Sequence, residues 1–227
     1  MQQRKMIAYA AAAGLLIGAV IVRIKGGVQT HVHQGWFGDT PLARWQLVAA
    51  AAPWVVFSLY WEIAAKNAAA AKSSETSVSR GVHVVLANAA LLLEIFPFQQ
   101  WGRFLPASYL SVGAGCALTM FGLCVAIWAR RVLGRNWSGE ITIKVEHELI
   151  RSGPYKRLRH PIYTGILIMY AGTAVVNGTN LAIVGFLLAA IAYARKIRLE
   201  EANLRVAFDA KYDEYCRETW ALVPWVY

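Results

Sequence analysis

Two polar blocks carry most of the residues capable of chemistry. The first runs from His147 to Tyr163, His-Glu-Leu-Ile-Arg-Ser-Gly-Pro-Tyr-Lys-Arg-Leu-Arg-His-Pro-Ile-Tyr. The second runs from Arg195 to Glu201, Arg-Lys-Ile-Arg-Leu-Glu-Glu. Glutamates accept hydrogen bonds from hydroxyl and ammonium groups, and arginines suit a carboxylate. Each block adjoins apolar sequence, so both belong at a membrane surface, where a water-soluble reagent meets a lipid-soluble substrate. Pro161 is well placed to begin a helix, because its missing N–H costs nothing in the first turn, and His160 then falls near the N-cap. On a helix, Lys196 faces Glu200 and Glu201 faces Arg205 at i,i+4. The competing interpretation is inert: Arg157 and Arg159 anchor to headgroups, and the second block is a salt-bridged surface helix of little energetic consequence.

Other chemistry lacks its motif. The chain has no glycine-rich dinucleotide loop, no Walker loop, no Gly-x-Ser-x-Gly elbow and no His-Glu-x-x-His pair. His31 and His33 lack a third ligand, and no metal site is expected. Cys116, Cys124 and Cys216 form no metal spacing, and an odd count gives no disulfide framework.

The elements that must position the two blocks follow from composition. Of 227 residues, 57% are hydrophobic and only 16% charged, and the apolar residues come in long runs. Runs of about 18 residues or more span a bilayer as helices. Six crossings are predicted: Met6–Val22, Ala43–Trp61 with Pro53 inside, Val82–Phe98, Pro106–Ala129, and a short hairpin of Pro161–Val176 and Leu181–Ala194 joined by Asn177-Gly-Thr-Asn180. Met6–Val22 is too long for a signal core and is expected to be retained. The third crossing is weakest, because it holds His83, Asn88 and Glu94. The fourth is rich in small residues, including Gly113, Gly115 and Gly122, which permit close helix approach. The loop from Lys66 to Arg80 is Ala/Ser-rich and predicted to be a flexible connection. Residues Ile143 to Ile150 fit either an extended stretch or a short surface helix.

The net charge of +10 does not point to nucleic acid, because the cations gather at the ends of apolar runs. Six crossings put both termini, the Lys66–Arg80 loop, the Arg130–Arg159 segment and the tail on one side. That side is expected to be cytoplasmic. Membrane lipids with anionic headgroups are a secondary partner. Trp220, Trp225 and Tyr227 have the character of an interfacial belt.

The pattern Gly153-Pro-Tyr-x-x-x-Arg-His-Pro-x-Tyr163, then an apolar hairpin, then Glu200-Glu-x-x-Leu-x-x-x-Phe-x-x-x-Tyr-x-x-Tyr215 resembles the isoprenylcysteine carboxyl methyltransferase family. These are integral-membrane enzymes that use S-adenosylmethionine. The resemblance covers about Leu133 to Pro224, and the first four crossings carry no diagnostic motif. It implies an all-α polytopic membrane protein with a cytosolic cofactor pocket and no Rossmann sheet. Residues 1–132 would form the lipid-facing, substrate part and residues 133–227 the methyltransferase core. The implied cofactor site comprises His147, Glu148, Leu149, Ile150, Tyr155, Arg159, His160, Pro161, Ile162, Tyr163, Glu200 and Glu201. Lys196 stands where eukaryotic members place a substrate-facing arginine, with Arg195 and Arg198 as nearby alternatives. Asp209 follows Phe208 where many relatives have glycine.

The implied reaction moves a methyl group from S-adenosylmethionine, leaving S-adenosylhomocysteine, to a lipophilic or prenylated acceptor entering from the bilayer. The family's acceptor is a prenylcysteine-like carboxylate. Tyr155 and Tyr163 would offer ring faces to the sulfonium, Arg159 or His147 would meet the cofactor carboxylate, and Glu200 its ammonium or ribose hydroxyls. A carboxylate acceptor is already ionised at neutral pH, so no strong base is required. The small residues of the fourth crossing and the short hairpin are expected to leave a lateral opening. The compact chain fits a prokaryotic cytoplasmic membrane, where a phospholipid amine or a small thiol is an alternative acceptor. A reading of another class, a non-catalytic membrane subunit or transporter, would use His83, Asn88 and Glu94 as a polar path.

Overall fold

Thr40 opens the first described helix, α1 (Pro41–Ala65), by accepting a hydrogen bond from the Ala43 amide at 3.2 Å. Pro41 occupies the first turn, where it leaves no donor unsatisfied. The computed structural model describes residues 40–66, 71–74, 76–95, 101–137, 142–144 and 149–225. The predicted crossing Met6–Val22 lies outside these residues, as do His31, His33, His147 and Glu148.

Helix α2 covers Ser77–Ile95, and α3 covers Tyr109–Leu133 with a single 3₁₀ turn at Gly134–Asn136. A reciprocal box between Ser108 and Ser111 starts α3. Helix α4 covers Pro161–Asn177, α5 Asn180–Phe208 and α6 Ala210–Glu218. The α4–α5 turn forms where Asn-Gly foretold it. Gly178 adopts φ +64°, and its carbonyl accepts from the amides of Phe104 and Leu105 at 2.9 and 3.2 Å. A side chain here would meet the Leu105 carbonyl at 2.7 Å, so glycine is required twice over.

The helices run back and forth between two ends. At one end, Arg130 near the close of α3 donates to the Ala64 carbonyl of α1 at 2.6 Å. Arg195 of α5 donates to the Ser79 hydroxyl of α2 at 3.1 Å. Both polar blocks lie at this end. At the other end, Gln46 donates to the Val176 carbonyl at 3.2 Å, and Asn177 donates to the Glu94 carbonyl. Four of the described helices, α1, α2, α3 with its extension, and α5, are long and apolar enough to cross a membrane, while α4 is shorter. Apolar side chains such as Ile63, Leu110 and Ile191 point outward, more than 60% exposed, as lipid contact requires.

Three expectations need correction. The second hairpin arm is not short. Helix α5 has 29 residues, about 43 Å at 1.5 Å per residue, and carries the Arg195–Glu201 block as its own continuation. The Lys66–Arg80 loop is not wholly irregular. Ala71–Ser74 (β1) pairs antiparallel with Thr142–Lys144 (β2), with Ser73 opposite Ile143 and Ser74 opposite Thr142. The same ribbon resolves the ambiguous start of Ile143–Ile150 as extended. Finally, Gly115 and Gly122 of α3 leave no opening. They are pressed against Gly172 and Gly165 of α4, where an added Cβ at Gly122 would come within 2.5 Å of the Gly165 carbonyl. Gly113, by contrast, faces open space.

Candidate active site

His160 sits at the N-cap of α4 but does no side-chain capping. Its backbone is held by the tail instead: the Arg159 and His160 amides donate to the carbonyls of Trp220 and Ala221 at 2.8 and 3.0 Å. The Thr164 hydroxyl donates to the Leu222 carbonyl at 2.8 Å, extending this parallel track. The buried imidazole is therefore free to face α5. Its Nε2 lies 3.3 Å from Glu201 Oε1 and its Nδ1 lies 3.7 Å from Glu200 Oε2.

Tyr163 stands one turn further along α4. Its ring lies parallel to the imidazole, with centroids 5.5 Å apart. Its hydroxyl donates to Glu200 Oε2 at 2.8 Å. The Lys196 ammonium lies 5.9 Å from the Tyr163 ring centroid and Tyr193 packs at 5.3 Å, so one expected cation-binding surface already meets a cation. The Glu200 side chain is 31% exposed and that of Glu201 only 11%. The two adjacent glutamates thus differ. One reaches solvent, and the other is consumed inside.

Glu201 accepts from Arg159 Nε at 2.8 Å. The same guanidinium donates through Nη1 to the carbonyls of Cys216 and Thr219. Burial acts to lower the Arg159 pKa, but the Glu201 hydrogen bond and charge outweigh it and raise it. Arg159 is a permanently charged rivet between the first block, α5 and the tail. Tyr155 is buried beneath the site, and its carbonyl accepts from the Tyr215 hydroxyl at 2.7 Å. Burial raises the pKa of both phenols, which remain neutral. Pro161 and Ile162 are buried, while Leu149 and Ile150 are half-buried.

On the lipid-ward side of Tyr163 lies a cavity of about 140 Å³ between α1, α2, α4 and α5. Its walls include Phe57, Trp61, Trp137 and Tyr193, the polar His83 and Asn88, and Lys196. Of the three candidate basic residues, Lys196 alone lines this chamber. Arg195 is tied to Ser79, and Arg198 is exposed. His83 contacts the Ala192 carbonyl at 3.3 Å and meets Tyr193 edge-on. Glu94 is fully buried near the opposite end, its carboxylate without a hydrogen-bond partner. Glu94 therefore shares a helix with His83 and Asn88 but not their cavity. Among the described residues no cluster could hold a metal ion.

The aromatic chamber and the Tyr215–Tyr155 strut escaped the sequence reading. Phe57, Trp61 and Tyr193 read only as apolar helix residues, and no motif fixes how helices are rotated against each other.

Comparison with known proteins agrees with this arrangement. The Isoprenylcysteine carboxyl methyltransferase (ICMT) family matches residues 115–206. A "Probable protein-S-isoprenylcysteine O-methyltransferase" of Oryza sativa subsp. indica is 30% identical over 138 residues, covering 60% of this chain and 70% of the relative. The protein-S-isoprenylcysteine O-methyltransferase of Saccharomyces cerevisiae is 26% identical over 210 residues, covering 88% and 87%. The nickel-cobalt-cadmium resistance protein NccN of Alcaligenes xylosoxydans xylosoxydans is 30% identical over 147 residues, covering 63% of each chain. The solved structure of the eukaryotic intramembrane Ras methyltransferase ICMT shares the fold, with a TM-score of 0.58 at 18% identity, covering 96% of this chain and 75% of that one. A motif spread over both polar blocks, a helical membrane architecture and a relative matched over most of its length lead to one assignment: the chain belongs to the isoprenylcysteine carboxyl methyltransferase family.

Proposed function

We propose that the protein transfers a methyl group from S-adenosylmethionine to the carboxylate of a lipophilic, isoprenylcysteine-like acceptor. The observation that carries this reading is the Tyr163–Glu200 hydrogen bond of 2.8 Å. Tyr163 also lines the aromatic chamber, so one side chain joins a solvent-reaching carboxylate to a lipid-ward cavity. A water-soluble donor and a membrane-borne acceptor have to meet at such a joint.

The residues present suit the donor. Glu200 supplies a half-exposed carboxylate for an ammonium or ribose hydroxyl, Leu149 and Ile150 supply apolar surface, and His160 supports Glu200 from behind. Pro161 and Ile162 fix the start of α4 beside them, with His147 and Glu148 earlier in the same block. Arg159, Glu201 and Tyr155 hold the framework. When bound, the cofactor supplies an electrophilic methyl on a sulfonium sulfur. The protein's own residues orient and dehydrate the acceptor. Lys196 meets its carboxylate, the aromatic walls exclude water, and Tyr163 keeps Glu200 in register. No base is needed, because a carboxylate is already ionised at neutral pH.

Calorimetry of the purified protein with S-adenosylhomocysteine tests the reading. Glu200→Ala is expected to weaken binding about tenfold or more, from the loss of a charged hydrogen bond, while Glu94→Ala leaves it unchanged. Absence of binding by well-folded protein would overturn the proposal. Tritiated methyl transfer to farnesylcysteine, an ethanolamine lipid and a small thiol then identifies the acceptor. The carboxylate reading requires farnesylcysteine to be preferred.

A further inference from the structure

A second cleft, of about 580 Å³, opens where α1 and α3 end, apart from the aromatic chamber. Lys66, Arg130, Arg131 and Arg135 line it together with Tyr60, and among the described residues no carboxylate does. Two helix C-termini point at the same spot, and their free carbonyls would ordinarily repel an anion. Arg130 removes that obstacle. Its Nη2 takes the Ala64 carbonyl at 2.6 Å and its Nη1 takes the Gly134 carbonyl at 2.8 Å. Its guanidinium also lies 4.4 Å from the Trp137 ring centroid. Arg130 is only 4% exposed, yet its Nε has no hydrogen-bond partner. Arg130 adds its charge to those of Lys66, Arg131 and Arg135 around the cleft.

The surroundings say what kind of anion. On the membrane side of the cleft, Leu59 and Ile63 of α1 and Trp128 of α3 are each more than half exposed, in a chain whose outward apolar faces meet lipid. A ligand with a phosphate in the basic cleft and apolar chains along Leu59, Ile63 and Trp128 matches both halves. We infer that this cleft binds the phosphate of an anionic lipid headgroup. The shared chemistry is phosphate recognition, and the apolar flank favours a lipid over free phosphate as its source. Through the Arg130–Trp137 contact, an occupied cleft braces one wall of the aromatic chamber.

The test uses full-length protein in phosphatidylcholine nanodiscs, with and without phosphatidylglycerol. Thermal unfolding and the phosphatidylglycerol retained on repurification are measured. The exposed pair Arg131→Gln/Arg135→Gln removes two cations without touching buried Arg130. At about 1 kcal/mol per cation, phosphatidylglycerol affinity falls on the order of thirty-fold. Lys211→Gln/Arg217→Gln, which removes the same charge from α6, is expected to retain it. Equal losses in both doubles would reduce the effect to general surface attraction and overturn the site, as would no response to phosphatidylglycerol. A parallel arm adds inorganic phosphate in neutral detergent. Stabilisation there equal to that by phosphatidylglycerol would overturn the headgroup assignment in favour of a free anion. None of these readouts requires methyl transfer, so the inference stands or falls apart from the proposed activity.

Discussion

Tyr163 has two duties that a single atom separates. Its ring packs against His160 and lines the chamber, while its hydroxyl holds Glu200. Tyr163→Phe keeps the first and deletes the second. If Glu200 contacts the cofactor, losing that anchor frees a carboxylate rotamer and weakens S-adenosylhomocysteine binding about fivefold, an effect of about 1 kcal/mol. Because Tyr163 acts through Glu200, the Tyr163→Phe/Glu200→Ala double should bind no more weakly than Glu200→Ala alone in a calorimetric cycle. Additive losses would show that Tyr163 touches the ligand independently. A second residue is strained. Asp209 closes α5 at φ +48°, ψ −131°, a conformation that glycine adopts readily and aspartate does not. Asp209→Gly should raise thermal stability by about 1 kcal/mol, read as a higher unfolding midpoint in detergent with unchanged cofactor binding. A lower midpoint would mean the aspartate side chain contributes more than its backbone costs.

At the scale of elements, the α3–α4 pair is the spine of the site, because it fixes where α4 begins. Gly115, Thr119, Gly122 and Ala126 face Gly165, Met169, Gly172 and Val176 at alternating spacings of four and three, one stripe on each helix. The buried Trp54 indole of α1 donates to the Thr173 hydroxyl of α4 at 3.0 Å, joining a third helix to this pair. Gly122→Ala would place a methyl within 2.5 Å of the Gly165 carbonyl. Such overpacking costs about 1–3 kcal/mol. Gly113→Ala meets nothing within 4 Å and should be neutral or slightly stabilising. Comparing the two unfolding midpoints checks whether close approach, rather than glycine content, matters. The small-residue pattern was legible in the sequence, but which glycines face α4 was not. Composition alone does not set a helix's rotation. Boundaries show the same division. Hydropathy located four of the five described crossings to within about five residues at each end, yet placed the end of the last at Ala194, where apolarity stops. The helix continues because Arg195 to Arg205 contains good helix formers in i,i+4 pairs, including Glu201 with Arg205 at 3.7 Å, and meets no breaker before Asp209. The motif named His160, Tyr163 and Glu200 as neighbours in advance, since their sequence order carries family information. The chamber walls from α1 and α2 were invisible, because tertiary packing alone brings them there.

For the whole molecule, the distribution of charge between the two ends decides which way it sits. The end holding both polar blocks carries Lys66, Arg80, Arg130, Arg131, Arg135, Arg151, Lys156, Arg157, Arg159, Arg195, Lys196, Arg198 and Arg205, whereas the described part of the other end carries Arg44 and Arg103. Lysine and arginine in short loops are retained on the cytoplasmic side. The site should therefore face the cytoplasm, where a soluble methyl donor is made. The prediction is tested with single cysteines in a background lacking Cys116, Cys124 and Cys216, at exposed positions on each end: Lys156→Cys beside the site and Ala107→Cys opposite it. In sealed, right-side-out vesicles, a membrane-impermeant maleimide should label the Ala107→Cys protein at once. It should reach the Lys156→Cys protein only after permeabilisation. The reverse order would put the polar blocks outside, where they could not draw on a cytoplasmic cofactor. That result would count against the proposed methyl transfer as well as the orientation, because both depend on Glu200 opening toward the compartment that supplies the donor.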